Sequence, residues 1–330
     1  MRCTVIGAGA WGTALANLLA ENEHEVRLWA FEPDVAEAIN RRHENPRFFA
    51  DVPLHPALVG TSDMAEALAG SELVVFVPPS HALRAVAAQA APHLPVGVPL
   101  VVATKGIDRE KLCLMTDVVT ETCPGHPIVA LSGPSFALEV ALHLPTALVA
   151  ACEDLEVAER VQTALSTSGF RVYTQRDVVG VELGGALKNV MAVATGIADG
   201  LELGNNARAA LITRGLAEMT RLGVKLGADP ATFAGLAGLG DLVLTCTGGL
   251  SRNRAVGLEI GRGASLQDVL QGRESVAEGV ATTETAKALA DKLGVEMPLV
   301  SAVHRVLFEK QPPRWALVDL MTRDLKDERQ

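Results

Sequence analysis

Residues 178–204 read VVGVELGGALKNVMAVATGIADGLELG, apolar around the whole helical circumference and not along one stripe. A helix of that kind belongs in a core. Upstream the pattern differs: short apolar runs at 3–6, 25–29, 73–77, 99–104, 128–131, 146–150 and 170–173 alternate with helical stretches. Alternation of this sort predicts β-α units in a doubly wound parallel sheet. Beyond Asp177, a plausible N-cap, the strand signal stops, and helices are expected at 178–204, 207–226, 230–237, 252–261, 282–293 and 299–308. The pattern therefore divides the chain into a dinucleotide-binding α/β domain, 1–176, and an all-α domain, 177–330.

The first strand leads into Gly7-Ala8-Gly9-Ala10-Trp11-Gly12 and an apolar helix. In that context GxGxxG lets the backbone turn sharply, approach a pyrophosphate and aim a helix N-terminus at its charge. The second strand ends in Phe31-Glu32, about 20 residues past the last glycine, where an acid can accept from the adenosine ribose. Phe31 would lie against the adenine; the plainer alternative for both is a surface turn before Pro33. No basic residue occupies this turn, which favours NAD, while Arg41 and Arg42 downstream keep NADP open.

Composition narrows the partners. The chain has 330 residues, enough for two cores, with 48% hydrophobic but only 4% aromatic residues, so its interior is built from Ala, Leu and Val. A net charge of −10 disfavours nucleic acid, and an anionic ligand needs a local cluster of positive groups. Five cysteines without a CxxC pair read as free thiols in a reducing cytoplasm, and the eight histidines show no metal spacing. No signal peptide is expected, and no stretch shows the roughly 18 uninterrupted apolar residues of a membrane span.

Candidate chemistry starts with Lys188 and Asn189, polar residues in the middle of the apolar helix. Burying an ammonium costs several kcal/mol or lowers its pKa, so Lys188 is a candidate for catalysis, unless it snorkels to water. It leans over Gly184 and Gly185, which leave a slot in front of the nitrogen. Lys105, Gly133 and Ser135 fall at carboxyl ends of strands, where doubly wound sheets bind ligands. Ser251-Arg252-Asn253 opens a helix with a hydroxyl, a guanidinium and an amide, the parts that hold a phosphate dianion; simple N-capping is the alternative. Asp241 is offered as a partner for Lys188, and Thr245 as a further substrate contact.

Eight segments then converge on one family. GAGAWGTALA, TKG at Lys105, LSGPSFALEVA, GVELGGALKNVMAVATGIADGL, NARAALITRGLAEM, AGLGDLVLTCT, SRNR and VAEGVATT together resemble the bacterial NAD(P)-dependent glycerol-3-phosphate dehydrogenases over nearly the whole chain. The resemblance implies a Rossmann-type domain followed by a 6-phosphogluconate-dehydrogenase-like helical domain. It implies interconversion of dihydroxyacetone phosphate and sn-glycerol 3-phosphate for phospholipid synthesis, and a cytoplasmic homodimer. By resemblance Lys188 is the general acid/base, with Asp241 and Asn189 in support. Lys105, Gly133, Ser135, Asp241, Ser251, Arg252 and Asn253 look like substrate contacts. Ala10, Trp11, Phe31, Lys105, Ala137, Arg252, Val276 and Glu278 look like cofactor contacts. Phe31 replaces the His or Arg of many bacterial members and Ala10 a frequent serine, so the choice between NAD and NADP stays open. Two rivals share the glycine turn: a β-hydroxyacid or ketoacid dehydrogenase, separated by substrate screening, and a non-catalytic redox sensor, separated by turnover.

Overall fold

The structure, a computed structural model, describes residues 1–49, 52–271, 278–325 and 327–328. Its sheet has eight strands: β1 (Arg2–Ile6), β2 (Glu25–Trp29), β3 (Val59–Thr61), β4 (Leu73–Phe76), β5 (Leu100–Val102), β6 (Ile128–Ser132), β7 (Thr146–Ala151) and β8 (Phe170–Gln175). Their spatial order is β3-β2-β1-β4-β5-β6-β7-β8. The winding reverses between β1 and β4, which pair in register from Cys3↔Leu73 to Ile6↔Phe76. Helices cover both faces, so β4 and β5 are buried at every position and read as continuous apolar runs without alternation.

The sheet is parallel, as expected, except at one pair. β6 and β7 run antiparallel, with Leu131 opposite Ala150. The connection between them holds only the five-residue helix Ala137–Ala141 and turns the chain back beside β6 instead of carrying it over the sheet. Strand β3, three residues long, escapes any periodicity reading.

Two compact units emerge from the packing: Met1–Gly185 with Ala228–Asp241, and Ala186–Gly227 with Leu242–Gln330. The division thus falls inside the helix Val178–Gly200, and a segment from the helical half returns to the first unit. The physical reason lies at the helix start. The Asp177 carboxylate accepts from the backbone N–H groups of both Gly180 and Asp229, at 2.8 and 3.0 Å. Ala237, in the π-turn Leu236–Gly240, joins Val181 in an apolar cluster with Ala130, Val149 and Ala151.

Among the described residues the second unit is helical. Gly204–Lys225, Arg252–Gly261, Glu278–Leu293 and Pro298–Phe308 match expected helices closely; Leu266–Leu270 and Pro313–Met321 are additional. Val178–Gly200 has the length and hydropathy of a membrane helix, yet 89% of its most apolar 18-residue window is buried inside the protein, as in a core helix.

Each unit also buries a carboxylate at a helix N-terminus. Glu182 accepts from the Thr116 N–H at 3.1 Å and from its hydroxyl, and Glu218 accepts from the N–H groups of Leu299 and Val300 at 2.6 and 3.2 Å. Burial outweighs these bonds and pushes both carboxyls up to about 7. A raised carboxyl pKa makes the folded state the stronger proton binder. Its stabilising contribution is therefore complete below about 4.5 and is lost as pH rises from there through 7, on the order of 3 kcal/mol for each group. Glu182→Gln keeps an acceptor for the Thr116 N–H and should flatten the fall in stability between pH 5 and 7, measured by urea melts. An unchanged pH profile would remove Glu182 from that account.

Candidate functional site

In the first unit, the glycine turn is shaped by three different demands. Gly7 has φ +114°, and a Cβ there would lie 3.0 Å from the backbone of Val77 and Pro78. At Gly12 a Cβ would stand 1.9 Å from the Gly7 carbonyl oxygen, so helix and turn touch only because it has none. Gly9 faces open space, with nothing within 4 Å of its would-be Cβ. It is the N-cap of Ala10–Glu21, a helix with no side-chain cap and no acidic residue in its first turn. These features fit a dinucleotide pyrophosphate: a bare cradle, uncapped N–H groups and the positive end of a helix dipole. The Trp11 Nε1 is buried without a hydrogen-bond partner among the described residues.

Asn45, fully buried and invisible to motif reading, holds this turn. Its Nδ2 donates to the Ala8 carbonyl at 2.8 Å and to the Thr13 hydroxyl at 2.9 Å. At the end of β2, Phe31 is 77% exposed and stands edge-on to Trp29, a free face for a planar base. Glu32 is met by Arg47 at 3.2 Å, and the same guanidinium reaches Asp34 at 3.3 Å. Arg41 and Arg42, named from the sequence as the basic residues that keep NADP open, pair instead with Glu37 and Glu44. The cation at Glu32 is thus Arg47.

Further along the sheet, Lys105 follows β5 and Asp241 follows the π-turn. They form a buried ion pair, Nζ to Oδ2 2.8 Å, with side chains 14% and 0% exposed. Within the first unit, Lys105 is thus a partner of Asp241. The same ammonium reaches the Gly133 carbonyl at 3.5 Å, and the Ser135 hydroxyl donates to that carbonyl at 3.0 Å. Gly133 has φ +142°, a conformation that aims its carbonyl where L side chains rarely allow. Lys105, Gly133, Ser135 and Asp241 are therefore one cluster, and Ala137 opens the short helix just after it.

The second unit carries the rest. Lys188 and Asn189 are 7% and 4% exposed. Paired glycines bring the helix Arg252–Gly261 against theirs: a Cβ on Gly196 would lie 2.1 Å from the Arg254 carbonyl, and one on Gly257 2.1 Å from that of Val193. This crossing sets Asn253 beside Asn189, Nδ2 to Oδ1 2.9 Å, while Asn253 Oδ1 accepts from the Gly279 N–H at 2.9 Å. Asn253 thus ties three helices, next to Glu278. Val276 lies outside the described residues.

Ser251 caps its helix, accepting from the Arg254 N–H at 3.2 Å, the simple N-capping that the sequence also allows. Arg252 is exposed. Arg254 is not a solvated companion: it and Arg208 both grip the nearly buried Asp199, each at 2.6 Å. Sequence reading passed over Asp199; an acid in an apolar helix with an arginine nine residues on was the available signal. Thr245 and Cys246 are buried on the helix Asp241–Thr247. Burial pushes the Cys3 thiol up to about 12 and Cys113 to about 11, which leaves both poor nucleophiles. Among the described residues, no group of three or more His, Cys, Asp or Glu side chains is placed to hold a metal.

Comparison with known proteins matches both halves. The family model described as "NAD-dependent glycerol-3-phosphate dehydrogenase N-terminus" covers residues 2–158, and its "C-terminus" counterpart covers 177–318. A "Glycerol-3-phosphate dehydrogenase [NAD(P)+]" of Geobacter sulfurreducens is 56% identical over 333 residues, 99% of each chain. The crystal structure of a glycerol-3-phosphate dehydrogenase from Coxiella burnetii superposes with a TM-score of 0.94 at 41% identity, covering 98% of this chain and 99% of that one. A yeast glycerol-3-phosphate dehydrogenase structure follows with a TM-score of 0.85 at 28% identity, covering 98% and 99%. With both halves matched end to end, and with a glycine turn shaped for a dinucleotide, the chain belongs to the NAD-dependent glycerol-3-phosphate dehydrogenase family, oxidoreductases that use NAD(P).

Proposed function

We propose that the protein interconverts dihydroxyacetone phosphate and sn-glycerol 3-phosphate with NAD(P), supplying the glycerol backbone of phospholipids, and that Lys188 is its general acid/base. The observation that carries this reading is a lysine only 7% exposed in an apolar helix, one turn beyond Gly184-Gly185. When bound, the reduced nicotinamide supplies a hydride to the ketone carbon. Lys188 holds the proton that the developing alkoxide takes up, and recovers it in the reverse direction. Asn189, fixed by Asn253, orients a substrate hydroxyl. Lys105, Gly133, Ser135, Asp241 and Thr245 contact the three-carbon chain, and Ser251, Arg252 and Asn253 its phosphate. Gly7, Gly9, Ala10, Trp11 and Gly12 would hold the cofactor together with Phe31 and Glu32, and Lys105, Ala137, Arg252, Val276 and Glu278 would contact it.

Steady-state rates with NADH and NADPH on dihydroxyacetone phosphate test the reaction; no turnover with either would end this reading. For the phosphate, Arg252→Ala should lower kcat/KM on dihydroxyacetone phosphate by roughly 10–100-fold, the worth of a charge-assisted hydrogen bond. Residual reduction of unphosphorylated dihydroxyacetone should change far less. Equal losses on both would take the phosphate away from Arg252.

The homodimer and the cytoplasm belong to the same proposal. Trp315, Val318 and Met321, 63%, 45% and 76% exposed, share one face of the helix Pro313–Met321, an apolar patch suited to a second copy. Sedimentation should give twice the monomer mass. The five cysteines are all free, as a reducing compartment keeps them.

A further inference from the structure

The cluster around Lys105 holds one polar atom to which none of the roles above gives a purpose. Ser132 closes β6, is 4% exposed, and its hydroxyl has no hydrogen-bond partner among the described residues. A buried hydroxyl left unmatched costs free energy, so its persistence needs a ligand-side reason. The hydroxyl abuts a bare stretch of backbone: a Cβ on Gly185 would stand 2.3 Å from Ser132 Oγ and 3.6 Å from Lys105 Cδ. Gly185 is thus bare where Ser132 Oγ and the Lys105 stem converge.

The charges at this spot choose the ligand. Lys105 is neutralised by Asp241 at 2.8 Å, and the Gly133 carbonyl adds only a dipole, so the cluster offers no surplus positive charge to a phosphate dianion. It does suit a neutral group that donates and accepts, as a serine hydroxyl does. We infer that Ser132 is a specificity-determining residue that hydrogen-bonds the free terminal hydroxyl of the three-carbon substrate. This inference rests on the proposed reaction and adds a residue to it. A site built to pair with a substrate hydroxyl discriminates against the analogue lacking it, because its own polar group is then stranded.

The experiment compares dihydroxyacetone phosphate with hydroxyacetone phosphate, which lacks that hydroxyl, as substrates of the wild type and of Ser132→Ala, each with saturating NADH. The wild type should prefer dihydroxyacetone phosphate, and the variant should narrow the kcat/KM ratio by about 3–10-fold, the worth of one neutral hydrogen bond, with the KM for NADH unchanged. An unchanged ratio, or a shift confined to the KM for NADH, overturns the assignment while leaving the reaction standing. A wild type inactive on dihydroxyacetone phosphate takes down the reaction and the assignment together. A second readout needs no turnover. Gly185→Ala should lower the Tm because its methyl meets Ser132 Oγ, and adding Ser132→Ala should recover part of the loss; a double variant no more stable than Gly185→Ala would show that the hydroxyl is not there.

Discussion

Lys188→Ala should lower kcat by roughly 10²–10⁴-fold, the usual contribution of a positioned general acid/base, while NADH binding, followed by cofactor fluorescence, stays near wild type. Alanine is the strongest helix former, so an unravelled helix is no rival explanation for the loss. Lys188→Arg sharpens the test. A guanidinium keeps the positive charge but does not release a proton near neutral pH, so the arginine variant should be about as inactive as the alanine one if proton transfer is the role. Were the charge alone sufficient, arginine would restore much of the rate. A Lys188→Ala enzyme turning over near the wild-type rate would remove this residue from the mechanism.

Asp241→Ala should cost both stability and activity. Its carboxylate is fully buried against Lys105, itself only 14% exposed, and removing one partner of a buried pair leaves an uncompensated charge. The loss expected in urea melts is about 3 kcal/mol, the lower end for broken buried pairs, because Lys105 can swing partly toward water. Replacing both residues by apolar ones, Lys105→Met with Asp241→Leu, should return most of the stability and none of the activity. That divergence separates a structural pair from a functional one. If the double variant regained activity, neither residue would be needed by the substrate; if Asp241→Ala melted like the wild type, the pair would carry no strain of burial.

Much of the candidate site was legible because its signals are local. GxGxxG demands its glycines within six residues, and the helix opened by Ser251 begins at Arg252 as its capping chemistry requires. Other features gave no such sign. Asn45 lies far along the chain from the Ala8 carbonyl it holds, and Arg47 reaches Glu32 across a turn whose path no periodicity describes. Asp199 looked like any acid near a helix end until two arginines closed on it.

By itself, then, the sequence determined the alternation of strands and helices, the dinucleotide turn, the buried character of the Lys188 helix and, through its motifs, the family. Propensity, periodicity and capping act over one or two helical turns, so each element and each motif can be read in its own short window. Tertiary structure alone decided that β7 runs against β6, that Ala228–Asp241 packs with the sheet, and that Asp241 meets Lys105 across 136 positions. It also decided that Ser132 keeps a hydroxyl unmatched among the described residues, opposite Gly185. Contacts of that range depend on the angles at which finished elements pack, and no short window of residues encodes those angles.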